Sequence, residues 1–216
     1  MDPNSKEHEK EHYFTKHPKS RKKARKVQFR IADRAFCFFT STGVFSFGHV
    51  DKGSEVLVRQ ILALEDMNAK MVLDLGCGYG FIGIVLSSLF PTCKMFMVDL
   101  NKRATSLARK NVDVNNISNA DVIDLDYGDE SARTSGLPPG FDLIACNPPI
   151  HAGKEIMRRM LLAALGDLKP NGIMYIVVKK SLGAPSLKKW FQESLALPTR
   201  VYKKSGYHVI RVKTHG

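Results

Sequence analysis

Residues Met71–Phe90 read MVLDLGCGYGFIGIVLSSLF. An apolar run stops at Asp74, the chain passes Gly76, Gly78 and Gly80 at alternate positions, and a second apolar run follows. MVLDLG suits a strand covered on both faces, and FIGIVLSSLF suits a helix. Glycines at the junction let the backbone turn sharply and approach a ligand that a Cβ would repel, while the helix start offers unpaired N–H groups. The spacing is G-x-G-x-G, not the dinucleotide G-x-G-x-x-G.

Reading outward, the alternation continues at the rhythm of a parallel sheet with crossover helices, an α/β domain. KMFMVDL is a buried strand ending in Asp99, and NKRATSLARKNVDVNN is an amphipathic helix. ADVIDL and FDLIACN are strands, KEIMRRMLLAALGDL is a long helix and NGIMYIVVKK is another strand, followed by a helix around Ser186 to Leu195. TRVYKK and YHVIRVK, separated by Ser205 and Gly206, should pair antiparallel across a tight turn. Upstream, SEVLVRQILAL has helical spacing, and VQFRI and AFCFFT form a hairpin across a three-residue ADR connection without glycine. The first 18 residues are polar and expected to be disordered, so residues 1–50 read as a basic N-terminal extension and 51–216 as the main domain.

The chain of 216 residues has no apolar run long enough for a membrane span and no secretory apolar region, which predicts a cytoplasmic protein. Cys37, Cys77, Cys93 and Cys146 fit neither zinc-ligand spacing nor a disulfide framework and read as reduced, so no metal is expected. A net charge of +12 favours a polyanionic partner. Basic residues concentrate in KSRKKARK, Lys19 to Lys26, and recur at Lys179, Lys180, Lys188, Lys189, Lys203, Lys204, Arg211 and Lys213. A solvated tail is the plain reading of the first run, and nucleic acid the favoured partner.

Asp99 ends the second strand of the alternating region, where a carboxylate can accept both hydroxyls of a ribose. Asp126 can accept from an adenine amino group, with Leu100 or Tyr127 against the ring. Either acid can instead cap a helix, and Asp74 can accept loop N–H groups.

Together DLGCGYG, the acid in VDLN and NPPI at residues 147–150 resemble the class I S-adenosylmethionine-dependent methyltransferases that modify amino groups. GVFSFGHVDKGSEVL, DLGCGYGFIG and NPPIHAGKE are similar, more closely, to the methyltransferase small domain family, which includes ribosomal RNA small-subunit guanine-N2 methyltransferases. The resemblance runs from Tyr13 to the C-terminus. It implies a Rossmann-like sheet of seven strands, order 3-2-1-4-5-7-6 with strand 7 antiparallel, and S-adenosyl-L-methionine held by Asp74, Gly76, Gly78, Gly80, Asp99, Leu100, Asp126 and Asn147. Gly53 and Ser54 match the segment that closes over the methionine end of the cofactor; a plain helix start capped by Ser54 or Asp51 is the other reading.

An exocyclic amino nitrogen is a poor nucleophile because its lone pair is delocalised into the ring. The Asn147 side-chain oxygen and the Pro148 carbonyl can each take one N–H of the NH2 group and turn the lone pair toward the methyl donor. Pro148 and Pro149 fix φ and donate no competing N–H. Ile150 stands where related motifs carry an aromatic residue that stacks on the target, and His151 is expected to contact substrate or to take the proton. The expected function is transfer of methyl to an amino group of RNA, guanine N2 of ribosomal RNA first. The rivals are a protein glutamine-N5 methyltransferase and a non-catalytic RNA-binding protein.

Overall fold

The computed structural model describes residues 23–65 and 69–216. The expectation for the first 18 residues, and the first half of the Lys19 to Lys26 run, lie outside the described residues. The central sheet has seven strands in the order β5-β4-β3-β6-β7-β9-β8. These are β3 (Met71–Leu75), β4 (Lys94–Asp99), β5 (Ala120–Asp124), β6 (Phe141–Cys146), β7 (Leu168–Lys179), β8 (Thr199–Lys204) and β9 (Tyr207–Lys213). β9 runs antiparallel to both β7 and β8 while the remaining pairings are parallel, so the expected order and the reversed last strand both hold, in a Rossmann-like fold.

Apolar residues at successive positions feed two cores. Val72, Met95, Met97, Leu143, Ala145, Tyr175 and Val177 pack on one face with helices α1 (Lys52–Leu64), α2 (Phe81–Leu89) and α3 (Lys102–Val114). Leu73, Leu75, Phe96, Val98, Ile144, Cys146 and Ile176 pack on the other, against α5 (Lys154–Gly166) and α6 (Ala184–Lys189). Side chains alternate across a strand, so a run buried on both sides shows no polar period.

Four boundaries differ from the sequence reading. The N-terminal hairpin, β1 (Ala24–Ile31) and β2 (Arg34–Ser41), turns on two residues instead of three, because Arg34 pairs with Ile31 and the turn is made by Ala32 and Asp33, at φ 47° and 59°. Left-handed residues at both positions match the twist of a tight hairpin, which is usually signalled by glycine. β7 starts at Leu168 and not Asn171, with an irregular register where Phe141 pairs with Leu168 and Leu143 with Ile173. The helix after β7 begins at Ala184 and passes at Trp190–Ser194 into a wider turn. Helix α4 (Glu130–Gly136) was not expected; it buries no side chain and so has no apolar period to read.

The hairpin is not in the main sheet. Asn115 takes the N–H of Cys37 through Oδ1 at 2.9 Å and donates to the carbonyl of the same residue at 2.8 Å, and Asn111 does likewise for Phe39 at 2.7 and 3.0 Å. One turn of α3 advances about 6 Å over four residues, close to the advance of two strand residues, so two asparagines meet alternate peptides. Phe38 meets Phe81 at 5.4 Å and Tyr79 at 5.7 Å between ring centres, which ties the hairpin to the first core. None of the described helices is long and apolar enough to cross a membrane. The four cysteines are free thiols, Cys37 half-buried and the others buried.

Candidate active site

A cavity of about 290 Å³ opens at the carboxyl ends of β3, β4 and β6, where ligands sit in open parallel sheets. Its floor is the turn after β3. Gly76 and Gly78 hold φ of 73° and 57°, and a Cβ on either would project into open space. Both line the cavity. Gly80 does not: at φ 93° it starts α2, and a Cβ there would meet Met97 Cε at 2.6 Å. Its bareness serves packing of the helix on the sheet, and only the other two of these three glycines border the cavity.

Asp74 is fully buried on the face of Val72 and lies outside the cavity lining. Its Oδ2 accepts the Gly83 N–H at 2.8 Å, inside the first turn of α2, and its Oδ1 is buried with no hydrogen-bond partner. Burial pushes its carboxyl up to about 7 against the lowering effect of Gly83. Asp99 stands at the end of β4 and lines the cavity. Gly78 N–H donates to its Oδ2 and Asn101 N–H to its Oδ1, each at 2.8 Å. Burial raises this carboxyl to about 6 in spite of both bonds. The neighbouring helix is capped by Asn101, not by Asp99, which removes the plain capping role from the acid.

Leu100, Asp126 and Tyr127 line the same cavity. Asp126 Oδ1 takes the Gly128 N–H at 3.0 Å, a local turn, while Asp129 caps α4. Tyr127 is buried, and its hydroxyl donates to Asp167, which also receives Arg133.

The opposite wall is the end of β6. Asn147, Pro148 and Pro149 line the cavity. Asn147 Nδ2 donates to Asp51 Oδ2 and to Ser54 Oγ, each at 2.9 Å. With both amino hydrogens engaged, Asn147 Oδ1 is the group left to accept. Asp51 also caps α1, taking the Ser54 N–H at 2.7 Å, so the helix cap is also the clamp on the asparagine. Gly53 stays out of the lining; a Cβ there would sit 3.0 Å from Asp51 Oδ2 and 3.0 Å from Tyr207 Cε1. The Pro148 carbonyl accepts the Ile150 N–H at 2.9 Å and keeps its second lone pair. Ile150 points away from the cavity and packs against the second core. His151 falls in a short helical turn, Ile150–Ala152, and its side chain lies outside what the structure describes.

Sequence reading missed Val44, Phe45, Ile156, Arg159 and Met160 as lining residues. Val44 and Phe45 are brought in by a loop tied to α3, where Asn101 Nδ2 donates to the Gly43 carbonyl at 2.8 Å and Arg103 to the Thr42 carbonyl at 2.9 Å. Helical spacing of Ile156, Arg159 and Met160 was the available signal for α5.

The methyltransferase small domain model matches residues 35–211. The uncharacterized protein YbxB of Bacillus subtilis is 35% identical over 205 residues, 94% of this chain and 98% of that protein. Ribosomal RNA small subunit methyltransferase C of Hahella chejuensis is 31% identical over 181 residues, 80% of this chain and 49% of the relative. The structure of the T. thermophilus 16S rRNA N2 methyltransferase, solved with AdoMet and guanosine, aligns with a TM-score of 0.75 at 23% identity over 89% of this chain and 51% of that one, a likeness of fold. The chain thus spans about half the length of both ribosomal RNA methyltransferases. The match runs from the second residue of β2 into β9, through every other strand of the central sheet, and this chain belongs to the methyltransferase small domain family.

Proposed function

We propose that this chain transfers a methyl group from S-adenosyl-L-methionine to an exocyclic amino nitrogen of RNA, guanine N2 of ribosomal RNA first among them. The observation that carries the reading is the clamped amide of Asn147, with its NH2 held by Asp51 and Ser54 at 2.9 Å and its oxygen left for a donor. The cavity suits the cofactor: bare Gly76 and Gly78 face open space, and Asp99 presents a carboxylate already oriented by two main-chain bonds. When bound, S-adenosyl-L-methionine supplies an electrophilic methyl on a sulfonium. Asp99 would hold the ribose hydroxyls, Gly76 and Gly78 the chain that approaches them, and Leu100 and Asp126 the base.

Asn147 Oδ1 and the second lone pair of the Pro148 carbonyl each accept one hydrogen of the target NH2. That pairing aims the nitrogen lone pair and stabilises the positive charge that develops on it. The clamp from Asp51 and Ser54 holds the amide so that no reorganisation is needed during transfer. Proline at 148 and 149 leaves no N–H to compete for the target.

Tritiated-methyl transfer to extracted ribosomal RNA and to protein, followed by nucleoside analysis, tests the reading. Label in N2-methylguanosine supports it. Label in protein glutamine, or in a nucleoside methylated on carbon or oxygen, would overturn it.

A further inference from the structure

The sheet carries positive charge next to the cavity that methyl transfer does not use. β7 ends at Lys179, β8 ends at Lys204 and β9 starts at Tyr207, and Tyr207 pairs with both lysines, so three strand ends meet. Lys180 follows, its N–H donating to the Gly206 carbonyl at 2.9 Å. Lys179, Lys180, Lys203 and Lys204 are exposed. Lys52, Lys94, Lys169 and Lys189 each meet a carboxylate, whereas no ion pair among the described residues uses any of the four rim lysines. Burial, with Lys203 and Lys180 adding to it, holds His208 below the usual imidazole range.

The rim adjoins the transfer site. The space above Gly53 is closed by Tyr207 Cε1 on one side and Asp51 Oδ2 on the other, each 3.0 Å from where a Cβ would stand. Asp51 is the clamp on Asn147. Tyr207, which pairs with Lys179 and Lys204, thus packs against the segment that carries the clamp.

We infer that Lys179, Lys180, Lys203 and Lys204 bind phosphates of the RNA strand on one side of the target nucleotide, feeding the extruded base past Tyr207 toward Asn147. This rests on RNA being the substrate. Lysine is a point charge that tolerates any sequence, which suits contacts that position without reading bases. Extruding a base costs a few kcal/mol, and held flanking phosphates keep the strand in place while that cost is met.

The test uses the full chain, with the double variants Lys203→Ala/Lys204→Ala and Lys179→Ala/Lys180→Ala and the matching arginine pairs. Binding to extracted ribosomal RNA is measured from about 50 to 200 mM salt, where each phosphate contact contributes roughly 0.7 to 0.9 to the logarithmic slope. Each alanine pair should lower the slope by about 1.4 to 1.8 and raise KM for RNA, with cofactor affinity, melting temperature and turnover at saturating RNA unchanged. The arginine pairs should keep the parent slope. An unchanged slope in both alanine pairs overturns the inference. So does unchanged RNA binding with lost binding to phosphatidylglycerol vesicles, which would assign the rim to a membrane surface. Because the slope is read from binding alone, a parent that transfers no methyl to RNA removes the proposed function without altering this comparison.

Discussion

The two ends of the cavity are built by different means. At the glycine turn, Asp99 is oriented by main-chain N–H groups of Gly78 and Asn101, only 21 and 2 residues away. At the other end Asn147 is oriented by side chains of Asp51 and Ser54, 96 and 93 residues away. The first arrangement belongs to β3, α2 and β4 and forms with that unit. The second exists only when α1 has docked beside β6. Under the proposed function, ground-state binding falls to local backbone and orientation during transfer to long-range tertiary structure, so substitutions at the two ends should separate affinity from rate.

Asn147→Ala should break the contrast most sharply. Loss of one preorganised acceptor costs about 10² to 10³ in turnover, while cofactor and RNA affinity remain. Single-turnover methylation at near-parent rates would reduce the motif to a strand end. Asn147→Asp should be no better at pH 8, because it sets a second carboxylate where Nδ2 now lies 2.9 Å from Asp51. Partial recovery on acidification, as one of the two takes up a proton, would identify the repulsion.

At the other end Asp99→Ala should weaken cofactor binding about 100-fold by calorimetry, the loss of charged acceptors for two hydroxyls. Turnover at saturating cofactor should change far less, and an equal fall in both would merge the two ends. Asp51→Ala should be milder and mixed. It removes a helix cap worth about 1 kcal/mol of stability, seen in denaturant unfolding. It also frees the Asn147 amide, for about a tenfold loss of turnover. A stability loss with unaltered turnover would show that Ser54 alone suffices as clamp.

The smallest effect expected is with pH. Asp74 and Asp99, at about 7 and about 6, both hold their protons more tightly folded than unfolded. Their contribution to stability is complete below the ordinary carboxylate range and is lost as pH rises through 6 and then 7. Thermal unfolding without cofactor should therefore show melting temperature rising as pH falls from 8 toward 5, less so in Asp74→Asn. Cofactor affinity should run the other way, weakening below about pH 6 as Asp99 loses its charge; a flat profile would remove the carboxylate from ribose binding.

How much of this could be read beforehand depended on the range of the interaction. The alternation of strands and helices, the glycine turn, Asp99 and the Asn-Pro-Pro wall were legible because each is a local pattern: an apolar run, a breaker, an acid or amide at the strand end. The order of strands in the sheet came only with the family resemblance. The clamp on Asn147 was not, since Asp51 announces only a helix start and nothing in its neighbours points across 96 residues. Ile150 was placed by resemblance near the target, yet its side chain serves the second core. Asp74 and Gly80 sit in the same motif as Gly76 and Gly78 but face inward, toward Gly83 and Met97, because side chains on alternate strand positions point to opposite faces and helix packing takes the last glycine. The Ala32 and Asp33 turn was hidden for want of the glycine that usually marks it.

The paired asparagines on α3 bear on how this protein stays apart from its neighbours. AFCFFT is apolar, uncharged and free of proline, the composition from which intermolecular strand ladders grow. On one side its peptides are matched by β1, and on the other the groups of Cys37 and Phe39 are met by Asn115 and Asn111, so a helix stands where a foreign strand would add. Asn111 also donates to the Tyr79 carbonyl at 2.8 Å, so the side chain that closes this edge is also fastened to the glycine turn. One amide thus covers a strand edge and holds the floor of the cavity, and Asn111→Ala should uncover the first as it releases the second, seen as aggregation in light scattering.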